Sequence, residues 1–442
     1  MTIQLKTIRL FFVFQIIFVL SLSSQTNTSL ILNQKIVKEI IDTLTFKLEH
    51  NYVLPDKGTE MSAFINKKYK DGLYNKITNP SILADILTKD VLSVHNDEHF
   101  FIEYNPNLSL ELSLPRDSVY WAKQLKLDRS KNHGFKKIEV LNGNIGYVDI
   151  SYFAYLNPES EKVADASFQT LSNCKAIIID LRYGMGGQPE MVACIAKHFI
   201  KERKHMFELT LRNREKNYNL YCEPDSNYTG LYETPLYILT SYKTFSAAEM
   251  LTYFLKTEKR VTIVGEQTRG GAHNAPKSFL YKDFIIALPH GKAYSRTTKT
   301  NWEGVGISSD IKTTADKALE VAEIKIFESY FKIAKDSVEI NNLKWQLELL
   351  KAKNNQPQID SLKLKKRIGT YSYTDISFSG NHLYYERVGR TKFPLVSMTE
   401  NKMRLLGNDS FIVEFVSNSK GDVKEIITYY EDGRIEQLSR NE

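Results

Sequence analysis

Serine 246 stands in the segment TSYKTFSAAEMLTYFLKT, residues 240–257, where an apolar strand-like run, PLYILT, passes into an apolar-periodic helix. A serine at such a junction is ordinarily a helix cap, because its side-chain oxygen accepts an unpaired backbone N–H. It becomes a nucleophile only if a base takes its proton and if donors face the oxyanion that acyl transfer creates. Histidine, carboxylate and a glycine turn are therefore the residue types to find. The glycine turn is DLRYGMGGQPEM, Asp180 to Met191, placed after an apolar run and ahead of a helical one. Glycines there permit unusual dihedrals and close approach to backbone N–H groups. The segment lacks the Lys-Ser/Thr of a phosphate loop, so nucleotide binding is disfavoured. The candidate base is His99 in VHNDEHFFIEY, with His95 and His273 (in TRGGAHNAP) as rivals. The candidate carboxylate is Glu303 in TNWEGVGISSD. Taken singly, each has a plainer reading as a loop or surface residue.

The elements that must position these residues follow from periodicity. NQKIVKEIIDTLTFKLEHNY sets Ile36, Ile40, Ile41, Leu44 and Leu48 on one helical face, and PSILADILTKDVLSV repeats the pattern after Pro80. Residues 30–95 are thus expected to form a small helical domain. Between 96 and 330 the signals alternate. IGYVDIS, KAIIIDLR, PLYILT, VTIVGE and FIIALP read as strands, EMVACIAKHFI and AAEMLTYFLKT as helices. Alternation of this kind predicts a layered α/β domain. A helical stretch, 331–364, contains the break NNQPQ. From 365 to 442, GTYSYTDISF, HLYYERV, SFIVEFV and IITYYEDG predict a small antiparallel β domain with no catalytic-looking cluster.

The chain has 442 residues, 42% hydrophobic and 25% charged, which excludes extensive disorder. Its net charge of +7 is spread along the sequence rather than gathered in a basic arm, so no nucleic-acid partner is expected. Lys6 and Arg9 precede LFFVFQIIFVLSLSS, and Ser21, Ser23 and Ser24 close it. That pattern predicts a signal peptide over residues 1–24, export to the periplasm or the medium, and no stable membrane span after cleavage. No cysteine follows the apolar run to carry a lipid. Cys174, Cys194 and Cys222 are too few for a disulfide framework and lack zinc-site spacing.

Four segments in order, DLRYGMGG, TSYKTFSAAE, VGEQTRGGAH and NWEGVGISSD, resemble the tail-specific, carboxyl-terminal processing proteases, and more closely their tricorn-like branch. The stretch YKDGLYNKITNPSILADILTKDVLSVHNDEHFFIEY also resembles interphotoreceptor retinoid-binding protein, a relative that carries ligands. The likeness covers about residues 30–315. It implies a ClpP/crotonase-like core, with Ser246 as nucleophile and the N–H groups of Gly187 and Ala247 as oxyanion donors, Gly186 shaping the turn. One branch of the family activates its serine with a lysine after a GE-x-T segment. Here Gly271 falls where that lysine would stand. The tricorn-like branch uses an upstream histidine and a downstream glutamate, matched by His99 and Glu303. A serine often precedes that histidine, whereas this chain has Glu98. No segment between His99 and Ile145 has room for a PDZ domain. The resemblance implies a serine endopeptidase acting on a protein or peptide substrate, with no metal and no cofactor. The alternative it carries is a non-catalytic carrier of a hydrophobic ligand. Neither cleavage preference nor oligomeric state is legible.

Overall fold

The computed structural model describes residues 30–441, apart from 215–216, 225–229 and 355. The expected signal segment, 1–24, lies outside the described residues. The protein has a mixed α/β core, a helical N-terminal region and a C-terminal antiparallel β-sheet.

Three helices, Gln34–Asn51, Pro55–Lys70 and Pro80–Val94, open the described chain. Asn33 caps the first by accepting from the Ile36 N–H at 3.0 Å, and Asn79 caps the third ahead of Pro80. Ile40, Ile41, Leu44 and Leu48 are buried, as the periodicity predicts. Their core is completed from far along the chain, by Leu280, Phe284, Ile286 and Leu288. The connection is a three-stranded sheet in which Phe284–Ala287 pairs with both Phe101–Tyr104 and Lys277–Tyr281. The helical region is thus locked to the core at the point where His99 enters it.

The central sheet has six strands. Their order is Ile311–Lys312, Thr262–Gly265, Leu236–Thr240, Ala176–Asp180, Ile145–Ile150 and Phe135–Leu141. All neighbours are parallel except the last pair. Ala176–Asp180 is buried along its whole length. Ile177 and Ile179 enter one core with the helices Pro189–Ala196 and Ala247–Thr257, whereas Ala176 and Ile178 enter another against Ala318–Ile333. Burial on both faces is what turns this strand into an unbroken apolar run. Each such isoleucine contributes about 1.5–3 kcal/mol of transfer free energy. All three cysteines are buried and unpaired, Cys174, Cys194 and Cys222 belonging to the first of these cores.

A second sheet of four antiparallel strands covers the site, in the order Tyr218–Cys222, Lys204–Leu211, Gly291–Tyr294 and His273–Asn274. These strands are short or half-exposed, and the apolar pattern does not mark them. After the helices Ala318–Ile333 and Ser337–Asn354, eight antiparallel strands run from Gly369 to Ser439, each beside its neighbour in sequence. The Ser372 N–H donates to the Ser439 carbonyl and the Asn441 N–H to that of Thr370, joining the first and last strands. Closure of this kind leaves no free sheet edge.

Candidate active site

Ser246 is the residue between strand and helix, and its backbone is strained there. Its φ of 56° and ψ of −115° belong to a region that glycine enters freely and other residues rarely do. The turn before it is pinned to the glycine segment: Thr244 Oγ1 donates to the Leu181 carbonyl at 2.7 Å, and the Phe245 N–H to the Gly184 carbonyl at 3.1 Å. A Cβ on Gly186 would sit 3.2 Å from both Cβ and Oγ of Ser246, so the glycine segment runs directly beside the hydroxyl.

Glu249, one turn into the helix and fully buried, holds this geometry. One oxygen accepts from Thr268 Oγ1 and the Gly270 N–H (2.7 Å). The other accepts from the N–H groups of Gly271 (2.8 Å) and Ser246 (3.0 Å). Burial pushes its carboxyl above the ordinary range against the pull of those four donors. Glu249 therefore ties the serine to the Gly270–Gly271 turn, a role that the sequence reading did not assign.

The two expected oxyanion donors are free. No described residue accepts from the N–H of Gly187 or of Ala247. Ala247 begins an eleven-residue helix, whose positive end faces the same space. Gly187 has φ 152°, and a Cβ there would lie 2.0 Å from the Phe153 carbonyl oxygen, so no side chain fits. Ser246, Gly187, Ala247, His99 and His273 line one pocket of about 310 Å³.

His99 packs its ring on Phe245 with centroids 4.3 Å apart. Both ring nitrogens are buried and neither has a hydrogen-bond partner among the described residues. Burial pushes its pKa down to about 4, with the nearby Asp97 opposing and His273 and Arg269 adding to the fall. It is a neutral base at ordinary pH. A Cβ on Gly271 would come within 2.5 Å of His99 Cε1 and 2.2 Å of Phe245 Cε2. The place where a lysine would stand in the other branch is thus filled by the histidine and phenylalanine rings. His95 packs edge-on to Tyr52, outside the pocket, and Glu98 is exposed.

Glu303 reaches the same wall by another route. Its loop folds onto the glycine turn, with the Gly304 N–H donating to the Gly270 carbonyl (2.9 Å) and Trp302 Nε1 to the Gly271 carbonyl (2.8 Å). The carboxylate accepts from the N–H groups of Ala272 (2.6 Å) and His273 (3.1 Å), and lies 3.6 Å from His273 Nδ1. It makes no described hydrogen bond to His99. Burial raises its pKa to about 7, with His273 lowering and Asp97 raising it.

Asp97, two residues before His99 and hydrogen-bonded to its backbone, is a carboxylate that the sequence reading passed over. It is completely buried and accepts from the His99 backbone N–H (3.1 Å), the Tyr52 hydroxyl (2.7 Å) and His273 Nδ1 (2.7 Å). Burial alone would raise its pKa, but His273 and the other donors outweigh that and hold it below the usual range. The spacing Asp-x-His was the available signal. Asp97, His273 and Glu303 each bring one ligand-type atom within 4.8 Å of the others. These carboxylate oxygens already accept from Tyr52, His273 and backbone N–H groups, and an ion would have to displace those bonds.

A half-buried strand-to-helix serine, backbone N–H groups unpartnered among the described residues and a histidine lining the same pocket are the parts that acyl transfer requires. The comparisons give the chain a family. Residues 144–313 match Peptidase family S41, and residues 25–125 match the N-terminal domain of that family described for eukaryotic IRBP. The chain therefore carries a family S41 peptidase domain behind its S41 N-terminal domain. A carboxyl-terminal-processing protease of Picosynechococcus sp. is 24% identical over 165 residues, covering 37% of this chain and 38% of that protein's length. Among solved structures, a candidate peptidase from Parabacteroides merdae aligns over 68% of this chain and 97% of its own, at 20% identity and TM-score 0.47. A photosystem II D1 C-terminal processing protease aligns over 64% and 93%, at 16% identity and TM-score 0.40.

Proposed function

We propose that this chain is an exported serine endopeptidase that hydrolyses peptide bonds through an acyl-enzyme on Ser246. The observation that carries the reading is the strained Ser246, set beside two unpartnered N–H groups, Gly187 and Ala247, in the pocket that His99 also lines. In this reading Oγ attacks the scissile carbonyl while His99 takes its proton and then returns it to the leaving amine. Negative charge builds on the carbonyl oxygen and is met by the two N–H groups and the helix end. Water then attacks the acyl carbon, His99 takes its proton, and the C–Oγ bond breaks with that proton passing to Ser246. Glu303 acts on the imidazolium through its neighbours, His273 and Asp97, rather than by direct contact.

Export is supported by the basic start, the short apolar run and the small residues after it. Among the described residues no helix is long and apolar enough to cross a membrane. N-terminal sequencing of the exported protein checks this part, and recovery of intact Met1 in the membrane fraction would overturn it. The peptidase reading is checked by a fluorophosphonate probe. Labelling of the wild type and not of Ser246→Ala is the expected result. An unlabelled wild type that binds apolar ligands would favour the carrier instead.

A further inference from the structure

The pocket beside Ser246 carries a row of three polar side chains, Thr210, Lys292 and His273, of which the hydrolytic reading uses only His273. In the four-stranded sheet, Lys292 is the direct partner of Thr210 on one side and of His273 on the other. Directly paired residues in an antiparallel sheet share one face, with Cβ atoms about 4.5–5.5 Å apart. Thr210, Lys292 and His273 thus stand side by side across three strands, and all three line the pocket. Lys292 is half-buried, and no described carboxylate forms an ion pair with it. Among the described residues no aspartate or glutamate lines the pocket. Asp97 and Glu303 lie behind its wall, engaged by His273 and by backbone N–H groups. The other walls include Leu209, Leu211 and Met250. An ammonium with no counter-ion among the described residues, flanked by a hydroxyl and an imidazole in a mostly apolar cleft, has unspent attraction for an anion, strengthened by the reduced dielectric there.

We propose that Thr210, Lys292 and His273 form a carboxylate-binding subsite, so that the enzyme selects peptides presenting a carboxylate near the scissile bond. The carboxylate is that of an Asp or Glu side chain of the peptide. This rests on the peptidase reading of Ser246.

The test uses the full-length protein and a decapeptide library with mixed positions, supplied with free and with amidated C-termini, with products read by mass spectrometry. Asp and Glu should be enriched over Asn and Gln at one position by about tenfold or more, in the free and the amidated peptides alike. A preference for the free terminus without that side-chain enrichment overturns the subsite. Lys292→Met keeps the stem and removes the charge, and should collapse that ratio. Lys292→Glu should move the preference toward Lys and Arg. The ratio should also fall with added salt. Ser246-dependent cleavage with no carboxylate preference, or with a preference unchanged in Lys292→Met, overturns the subsite alone. Absence of any Ser246-dependent cleavage overturns the peptidase reading and the subsite with it.

Discussion

Replacing Ser246 by glycine should make the protein more stable than replacing it by alanine, although both variants lose the hydroxyl proposed as nucleophile. The argument starts from φ 56° and ψ −115°, held in place by the bond from the Ser246 N–H to Glu249. A side chain in such a conformation costs on the order of 1–3 kcal/mol, and the surrounding structure must over-determine it to persist. Alanine keeps a Cβ and therefore keeps that strain. Glycine removes it, but the unfolded chain gains freedom worth roughly 0.5–1 kcal/mol. The balance favours Ser246→Gly over Ser246→Ala by about 1 kcal/mol, close to fivefold in the folded-to-unfolded ratio. Urea unfolding followed by tryptophan fluorescence reads the difference, since Trp302 is buried and bonded to Gly271 in the same turn system. Equal stability of the two variants, or a less stable glycine variant, would refute the claim that strain is stored at the nucleophile.

The remaining predictions concern the groups around it. His99→Ala should lower kcat by about 10²–10⁴ with folding intact, as loss of a general base does; unchanged turnover in a peptide assay would remove His99 from the reaction. In the wild type, kcat/KM should rise through an acid limb near pH 4, where the buried His99 loses its proton, and a limb near an ordinary histidine pKa would contradict its buried setting. Glu303, raised from 4.5 to about 7, binds its proton more tightly when folded, so its contribution is present below about pH 4.5 and is lost as pH rises through 7. Glu303→Gln should therefore match the wild type at pH 4.5 and exceed it in urea stability at pH 8 by up to about 3 kcal/mol, while slowing acylation; a variant less stable at pH 8 would show that the ionised carboxylate is needed for folding. Glu249→Gln should destabilise the protein by about 1–3 kcal/mol or more, because an amide cannot accept from all four donors that meet there, and equal urea midpoints would show that the clamp is dispensable.

The parts of this molecule legible in its sequence are those whose pattern is local. Ile40, Ile41, Leu44 and Leu48 repeat with the helical period because one face is buried, and Ala176–Asp180 is unbrokenly apolar because both faces are. The turn at Ser246 and the glycines at 186–187 were legible for a related reason: a tight strand-to-helix turn and close backbone approach restrict residue type at fixed offsets. The four-stranded sheet was not legible, since its strands are half-exposed and two of its members, His273–Asn274 and Gly291–Tyr294, are too short to show a period. Three strands of the C-terminal sheet, Phe393–Ser397, Lys402–Leu405 and Ile435–Ser439, were missed as well. Their inward residues are Leu395, Met403, Leu405 and Leu438, and the residues between are mostly polar or charged.

The carboxylates show most clearly where sequence reasoning stops. Glu303 stood out as a charge set between tryptophan and glycine, and the expectation joined it to His99. The structure joins it to His273 and the Ala272 N–H, because the loop carrying it folds onto the Gly270–Gly271 turn. The group that touches the base's own backbone is Asp97, and its other partners come from Tyr52, 45 residues upstream, and His273, 176 residues downstream. A fully buried aspartate between a tyrosine, an amide and an imidazole has its charge shared among three chain segments. Removing any one of them leaves a buried charge short of a donor, at a cost of about 1–3 kcal/mol or more. Tyr52 caps the first helix of the N-terminal region, whereas His273 lies in the short strand paired with the one that carries Lys292. The helical region is therefore physically part of the site: its Tyr52 hydroxyl adds to the larger effect of His273 in holding Asp97 ionised, and Asp97 in turn fixes the backbone of the segment that carries His99.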